Sequence, residues 1–297
     1  MTGALRRLSI NRASIRQWTV RELVDACAAR GVGGVGLWRD DVEDVDPAAV
    51  GARVRDAGLA VTSLCRGGFV TDPDPGERRR RHDDNRRALD EAAALGTDVL
   101  VLVAGGMDGN GTDLPGARVR VADAVAALVP DALARGVRLA VEPLHPMFCS
   151  DRCVISTLDQ ALDLVADCPV EAAGVVVDAY HVWWDPGLDA AIRRAGPRIA
   201  AFQVCDWVTP LPAGVLTGRG VMGDGAIDLR AMRRAVEFAG WTGPIEVEIF
   251  NDGWRERPGA ELLDLMIERH LAHVIDPESP TQFDDERSEA AWTASTT

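Results

Sequence analysis

The chain has 297 residues, 47% of them apolar and 26% charged, with a formal net charge of −14. That is the balance of a globular protein with a sizeable core, and its acidity argues against nucleic acid or an anionic membrane as partner, since both need a basic surface. There is no lysine: all 32 basic residues are arginine, so Schiff-base chemistry is excluded and every cation is fixed at neutral pH.

Residues 1–10 carry arginines but no apolar stretch of the kind a secretory leader needs. No apolar run reaches the roughly 18 residues of a membrane span. A cytoplasmic protein is therefore expected. The six cysteines (Cys27, Cys65, Cys149, Cys153, Cys168 and Cys205) lack CxxC spacing and read as reduced, mostly buried small residues.

In chain order, an apolar strand is expected over 5–10, a helix over 20–29, a strand over 34–38 and a weaker helix over 46–57. Strands at 60–65, 98–103, 138–142, 174–178, 199–204 and 244–249 then alternate with helices at 79–95, 119–134, 157–166, 188–195, 229–238 and 261–275. The strands are continuous apolar runs, the pattern of strands buried on both faces; the helices carry apolar residues at three- and four-residue spacing. Thr157 (with Ser156) and Asp228 can cap helix starts, and Gly31, Gly58, Gly96, Gly136 and Gly240 stand where helices end. Eight β-α units in about 250 residues make a closed (β/α)8 TIM barrel, a single α/β domain over 1–275, the most economical architecture. A doubly wound open sheet is the alternative, but no glycine-rich phosphate loop follows the first strand. From 276 to 297 the chain turns polar and acidic and reads as a tail. The basic run 77–81 is neutralised by flanking acids and reads as a solvated helix start.

A barrel of this kind builds its active site at the C-terminal strand ends. Strands five to eight end on Glu142, Asp178, Gln203 and Glu248. Three carboxylates converging at one mouth would repel one another unless a cation lay between them. Oxygen donors from three acids and an amide suit Mn2+ or Mg2+, where zinc would more often recruit histidine or cysteine. The bland alternative is a hydrogen-bonded polar cluster. Glu246 points the same way as Glu248 on the last strand; Glu248 is taken because it lies nearer the end. His145 and His181 each follow a proposed ligand by three residues, an offset that draws attention to the side chains titrating near neutrality. His82, His270 and His273 lie on helices and read as surface residues. Arg219, in the glycine-rich loop after strand seven, could hold substrate hydroxyls or stabilise an enolate oxygen. Trp38, Trp183 and Trp184 could wall a sugar face, and Arg66 belongs to a second candidate substrate loop.

Val141-Glu142-Pro143-Leu144-His145-Pro146, Val177-Asp178-Ala179-Tyr180-His181, Phe202-Gln203-Val204-Cys205-Asp206, the Arg219 loop and Glu246-Val247-Glu248-Ile249-Phe250 together resemble the sugar phosphate isomerase/epimerase superfamily of xylose-isomerase-like barrels, which includes inosose dehydratase and the ketose 3-epimerases. The resemblance implies metal binding by Glu142, Asp178, Gln203 and Glu248, with His181 and Arg219 on the substrate. Gln203 stands where many members carry histidine, Met222 replaces a proline, and Phe148 stands where ketose 3-epimerases have a second catalytic glutamate. That last departure shifts the expected general base to His145, with Glu142 and Glu248 as the remaining catalytic acids. The Glu142-Pro143-Leu144-His145-Pro146-Met147 stretch is also similar to the metal-binding larger subunit of bacterial C-glycoside deglycosidases, which implies a small β-rich partner subunit and an oligomer. Two activities follow as expectations, both on a keto sugar or keto-glycoside: isomerase/epimerase-type enolisation, or a lyase reaction that removes the C2 proton of a 3-keto glycoside and expels its C1 substituent. Abasic-site endonucleases share the barrel, but five histidines and the acidity count against that use; a non-catalytic scaffold is the remaining class.

Overall fold

A computed structural model describes residues 2–107, 111–211 and 214–275; the expected tail, 276–297, lies outside the described residues. Eight strands, β1 (Leu8–Asn11), β2 (Gly34–Trp38), β3 (Ala60–Gly68), β4 (Val99–Val103), β5 (Arg138–Glu142), β6 (Ala173–Asp178), β7 (Ile199–Val204) and β8 (Ile245–Val247), pair in sequence order and close into a barrel. Every pairing is parallel, and β8 returns onto β1 through Leu8 opposite Ile245 and Ile10 opposite Val247. A short α1 (Thr2–Arg7) precedes the barrel. Around it run α2 (Val20–Ala29), α3 (Pro47–Asp56), α4 (Pro75–Leu95), α5 (Leu114–Arg135), α6 (Leu158–Leu164), α7 (Ala179–Val182), α8 (Leu188–Ala195), α9 (Leu229–Phe238) and α10 (Gly259–His273). None of the described helices is long and apolar enough to cross a membrane.

The local signals act as their chemistry requires. Thr19 and Glu22 make a reciprocal capping box on α2, Thr157 accepts the Gln160 amide on α6, and Asp228 accepts the Ala231 amide on α9. Gly96 and Gly136 end α4 and α5 at φ +82 and +62, a conformation that costs a side chain but not glycine. Several boundaries differ from expectation: β3 runs on to Gly68, α4 and α5 start four and five residues earlier, at Pro75 and Leu114, and the first strand starts at Leu8, with residues 2–7 helical. A barrel wall is buried on both faces and has no room for the Arg6 and Arg7 guanidiniums. Outside the wall, Arg7 reaches Glu237 at 2.6 Å and the Gly243 carbonyl at 3.0 Å.

The barrel interior positions the site. Val99, Val101, Ala140, Val176, Ala200, Ala201 and Cys65 form a separate cluster of small apolar side chains. Because alternate residues of a strand share a face, Glu142, Asp178 and Gln203 stand one layer above Ala140, Val176 and Ala201. Gly36 leaves the room this requires on the facing wall, since a Cβ there would lie 2.6 Å from Glu246 Oε1.

His270 corrects an expectation, because it is fully buried on α10 and neither ring nitrogen has a hydrogen-bond partner among the described residues. The residues flanking it face the core at helical spacing, with Leu263 and Met266 buried on the same helix. Burial, and then the charges of Arg7 and Arg233, pull its imidazole down to about 3. A histidine with a depressed folded value protonates first in the unfolded chain, so its contribution is intact above about pH 6.5 and lost as pH falls towards 3. Urea unfolding of the wild type should lose stability across that window at up to roughly 1.4 kcal/mol per pH unit from this group, and His270→Leu should flatten the slope by about one proton. An unchanged slope would show that His270 is not buried neutral.

Candidate active site

Glu142 is the last residue of β5, Asp178 the last of β6, Gln203 lies on β7 facing Asp178 in register, and Glu246 faces Gln203 from β8, with Glu248 two residues on. All five are buried. Asp178 also starts α7, where its Oδ1 accepts the Tyr180 amide at 2.8 Å, so the turn of helix that follows carries His181 back over the strand ends. The Arg219 loop is pinned from both sides: Asp206 and Gly220 exchange backbone hydrogen bonds, the Arg219 amide donates to the Phe250 carbonyl at 3.1 Å, and Asn251 Nδ2 donates to the Arg219 carbonyl at 3.0 Å.

Arg219 is thereby driven into the group of acids, only 2% exposed. Its Nη1 donates to Glu248 Oε2 at 3.0 Å and to Asp178 Oδ2 at 3.3 Å, and its guanidinium lies 4.6 Å from the ring centroids of both Tyr180 and Phe250. Burial pushes the Glu142, Asp178 and Glu248 carboxyls above their ordinary values, Glu248 to about 7. Repulsion by Asp178 and Glu248 raises Glu142 further, and Arg219 pulls all three back down.

Glu142, Asp178 and His181 each offer a ligand atom within 4.8 Å of the others, a spacing that could hold a metal ion. The hydrogen bonding of His181 argues for a different use of its ring. Burial, then Arg219, holds the imidazole well below its ordinary value and so neutral. Its Nδ1 accepts the His145 backbone amide at 3.2 Å, which leaves the proton on Nε2. That Nε2 lies 3.1 Å from Arg219 Nη2. Two N–H groups therefore converge where the ring meets the guanidinium, an arrangement that an oxygen lone pair would complete.

Glu246 and Glu248 differ sharply in their surroundings. Glu246 accepts from Asn11 Nδ2 (2.8 Å), Thr62 Oγ1 (2.7 Å), Ser63 Oγ (2.9 Å) and Gln203 Nε2 (3.0 Å), and so is fully engaged within the barrel. Gln203 Oε1, by contrast, is buried with no partner. A buried carbonyl oxygen without a donor is rare, and next to three carboxyls raised by burial it makes a donor set that a hard divalent cation fits.

The residues open to a ligand line a cavity of about 240 Å³ at the C-terminal mouth. Of the residues identified from sequence, Glu142, His181, Arg219, Glu248, Trp38 and Arg66 line it. His145 does not. Its ring stacks on Trp207 at 4.8 Å and meets the edge of Trp184 at 5.7 Å, and its Nδ1 accepts the Met147 amide. The ring is partly withdrawn from water, which lowers its proton affinity. Phe148 turns its ring edge to His181. The cavity also contains Arg16 and Arg152, which sequence reading missed: Arg16 follows the first strand end and Arg152 sits in the Glu142 loop, but nothing in their local spacing marks them.

A family model described as "Xylose isomerase-like TIM barrel" matches residues 24–269. The 3-dehydroshikimate dehydratase of Pseudomonas putida is 30% identical over 256 residues, which is 81% of this chain and 37% of the relative; the chain thus spans well under half the length of that protein. Among solved structures, protein SMc04130 from Sinorhizobium meliloti is 47% identical, with a TM-score of 0.87 over 91% of this chain and 99% of the other. The IolI protein with a bound zinc atom shares the fold at a TM-score of 0.78 over 90% of this chain and 98% of the other, at 18% identity.

The engaged Glu246 gives a stability test. Glu246→Ala leaves Asn11, Ser63 and Gln203 donors buried without an acceptor, and each such group costs about 1–3 kcal/mol. A loss on the order of 3 kcal/mol or more is expected in denaturant unfolding of the metal-free protein. A near-neutral result would mean that water replaces the carboxylate there.

Proposed function

The chain belongs to the xylose isomerase-like TIM barrel family and is an enzyme; on that premise we propose that it removes a proton beside the carbonyl of a keto sugar or related polyhydroxy ketone, with a divalent metal held by Glu142, Asp178, Gln203 and Glu248. The observation that carries the reading is the pair of N–H groups, His181 Nε2 and Arg219 Nη2, converging beside the cavity-lining carboxyls Glu142 and Glu248. Mn2+ or Mg2+ is the ion the all-oxygen set favours; when bound, it polarises the substrate carbonyl as a Lewis acid.

The chain's own residues supply the rest. His181 and Arg219 donate to the oxygen that gains charge as the proton leaves. Glu142 and Glu248 are the cavity-lining bases in reach. His145 acts through its backbone amide, which fixes the tautomer of His181. Trp38 walls the cavity, its indole N–H tied to Asn11 Oδ1 at 2.8 Å.

The fate of the deprotonated substrate separates two activities. Reprotonation on another face or carbon gives isomerase or epimerase activity. Loss of a β-substituent, water or an aglycone, gives a lyase. Phe148 offers no acid–base group at its position, and the dehydratase name of the P. putida relative supports elimination of water; we favour the lyase outcome. A partner subunit, as in the deglycosidases, belongs to the variant in which an aglycone leaves.

Mass spectrometry of 3-dehydroshikimate and of a neutral 3-keto glucoside, each incubated in D2O with the magnesium-loaded enzyme, tests this reading. Deuterium uptake without loss of mass means isomerisation; loss of water or aglycone that stops with a chelator means the lyase; neither change in either substrate would overturn the assignment. Glu142→Gln should lower both metal content and turnover, the latter by about two orders of magnitude or more; a metal-replete, active Glu142→Gln enzyme removes Glu142 from the site. His145→Ala should keep turnover within about tenfold of wild type, where loss of a general base costs about 10²–10⁴-fold.

A further inference from the structure

The cavity has a second, basic side that the proton transfer does not use. Arg16, Arg66 and Arg152 all line it together with Glu142 and Glu248. Among the described residues the side chains of Arg16 and Arg66 make no hydrogen bond and no ion pair. Arg66 is half-buried and is held only by aromatic rings, its guanidinium 4.5 Å from the Phe69 centroid and 5.9 Å from that of Trp38. Arg16 also lies against this aromatic group, its guanidinium 5.8 Å from the Trp38 centroid and 5.6 Å from that of Phe250. The ion pair of Arg152 is with Asp151, its exposed chain neighbour, at 3.7 Å.

Many arginines elsewhere are neutralised by acids: Arg39, for example, bridges Asp84 and Glu91, and Arg135 bridges Asp90 and Asp131. A guanidinium stacked on an aromatic face keeps its N–H edge free and correctly oriented for a planar or tetrahedral oxyanion. Burial, and then the nearby Arg152 cation, depress the proton affinity of Arg66, and the charges of Glu142 and Asp40 offset this only in part. Of the acids of the site, Asp178 and Glu248 are engaged by Arg219, and Glu142 acts on Arg66 only through its charge, without an ion pair.

We propose that Arg66, with Arg152 and Arg16 beside it, binds an oxyanion carried by the substrate, a carboxylate or a phosphate ester, so that the enzyme acts on an acidic polyhydroxy ketone and discriminates against neutral sugars. The proposal rests on the enolisation reading above and deepens it by naming the substrate class. It also places the two ends of the substrate: the anion against Trp38 and Arg66, the carbonyl against His181 and Arg219. An anionic group fixed at a distance from the carbonyl orients the ketone for proton removal, which is where binding energy from a non-reacting group is used.

Calorimetric titration of the magnesium-loaded full chain with shikimate, shikimate 3-phosphate and methyl shikimate tests it. These are alcohols without the keto group, so no turnover intervenes. Shikimate or its phosphate should bind at least about tenfold more tightly than the neutral ester, the worth of one hydrogen bond to a charged group. Arg66→Gln should remove that preference while leaving affinity for the ester within about twofold, and Arg66→Lys should restore part of it. A preference for the carboxylate alone assigns the anion as a carboxylate; a further gain with the phosphate assigns a phosphate ester. Equal affinity for acid and ester, no binding of either acid, or an equal loss of both in Arg66→Gln would overturn the proposal. Selectivity for the acid together with no deuterium exchange in any ketone would overturn the enolisation reading alone. Turnover of a neutral 3-keto glucoside with equal affinity for acid and ester would overturn the anion subsite alone.

Discussion

Four carboxylates and one guanidinium share the water-poor mouth of this barrel, and the rest of the site is arranged around their mutual charge. An unpaired carboxylate in such a place would cost several kcal/mol. Glu246 avoids the cost by accepting four side-chain hydrogen bonds inside the barrel. Asp178 and Glu248 avoid it through Arg219, which is brought in by a loop whose backbone is pinned to Asp206, Phe250 and Asn251. Glu142 has neither device, and its carboxyl is raised well above the ordinary range. The imbalance left over is what a divalent cation would relieve.

The same charge problem explains why the cavity has two characters. Arg219 is committed to the acids, so it contributes little positive potential to the outer cavity. Arg66 and Arg16 stand apart, held by Trp38, Phe69 and Phe250 and not by acids. Aromatic faces can hold a guanidinium without neutralising it, so the cation remains available to a ligand. In a protein of net charge −14, cations without an ion-pair partner at the rim of this cavity give it a local attraction for anions.

How legible was this in the sequence? Strand ends at Glu142, Asp178 and Gln203 could be read because an apolar run that stops on a polar residue marks the barrel mouth, and the structure places all three there. The choice between Glu246 and Glu248 could not be read, since alternation gives both the same face; only the donors contributed by Asn11, Thr62 and Ser63, from two other strands, distinguish them. His145 and His181 share one offset from an acid, yet their rings part company, because Trp207 supplies a stacking face for one and Arg219 a contact for the other. His270 looked like a surface residue, as polar side chains on helices usually are, until α10 turned it inward.

By itself, then, the sequence determined the eight β-α units, the order in which they alternate and the acids at strand ends five to eight, because hydrophobic periodicity, caps and turn glycines are local properties written in neighbouring residues. Tertiary structure alone decided which side chains meet: Arg219 against Asp178 and Glu248, Gln203 Oε1 without a donor, and Arg16, Arg66 and Arg152, from two loops and the end of β3, around one cavity. Those meetings depend on closure of the barrel, which brings residues 16 and 255 to the same rim. No window of sequence contains that distance; it is set by strand number and register, and it exists only once β8 has paired with β1.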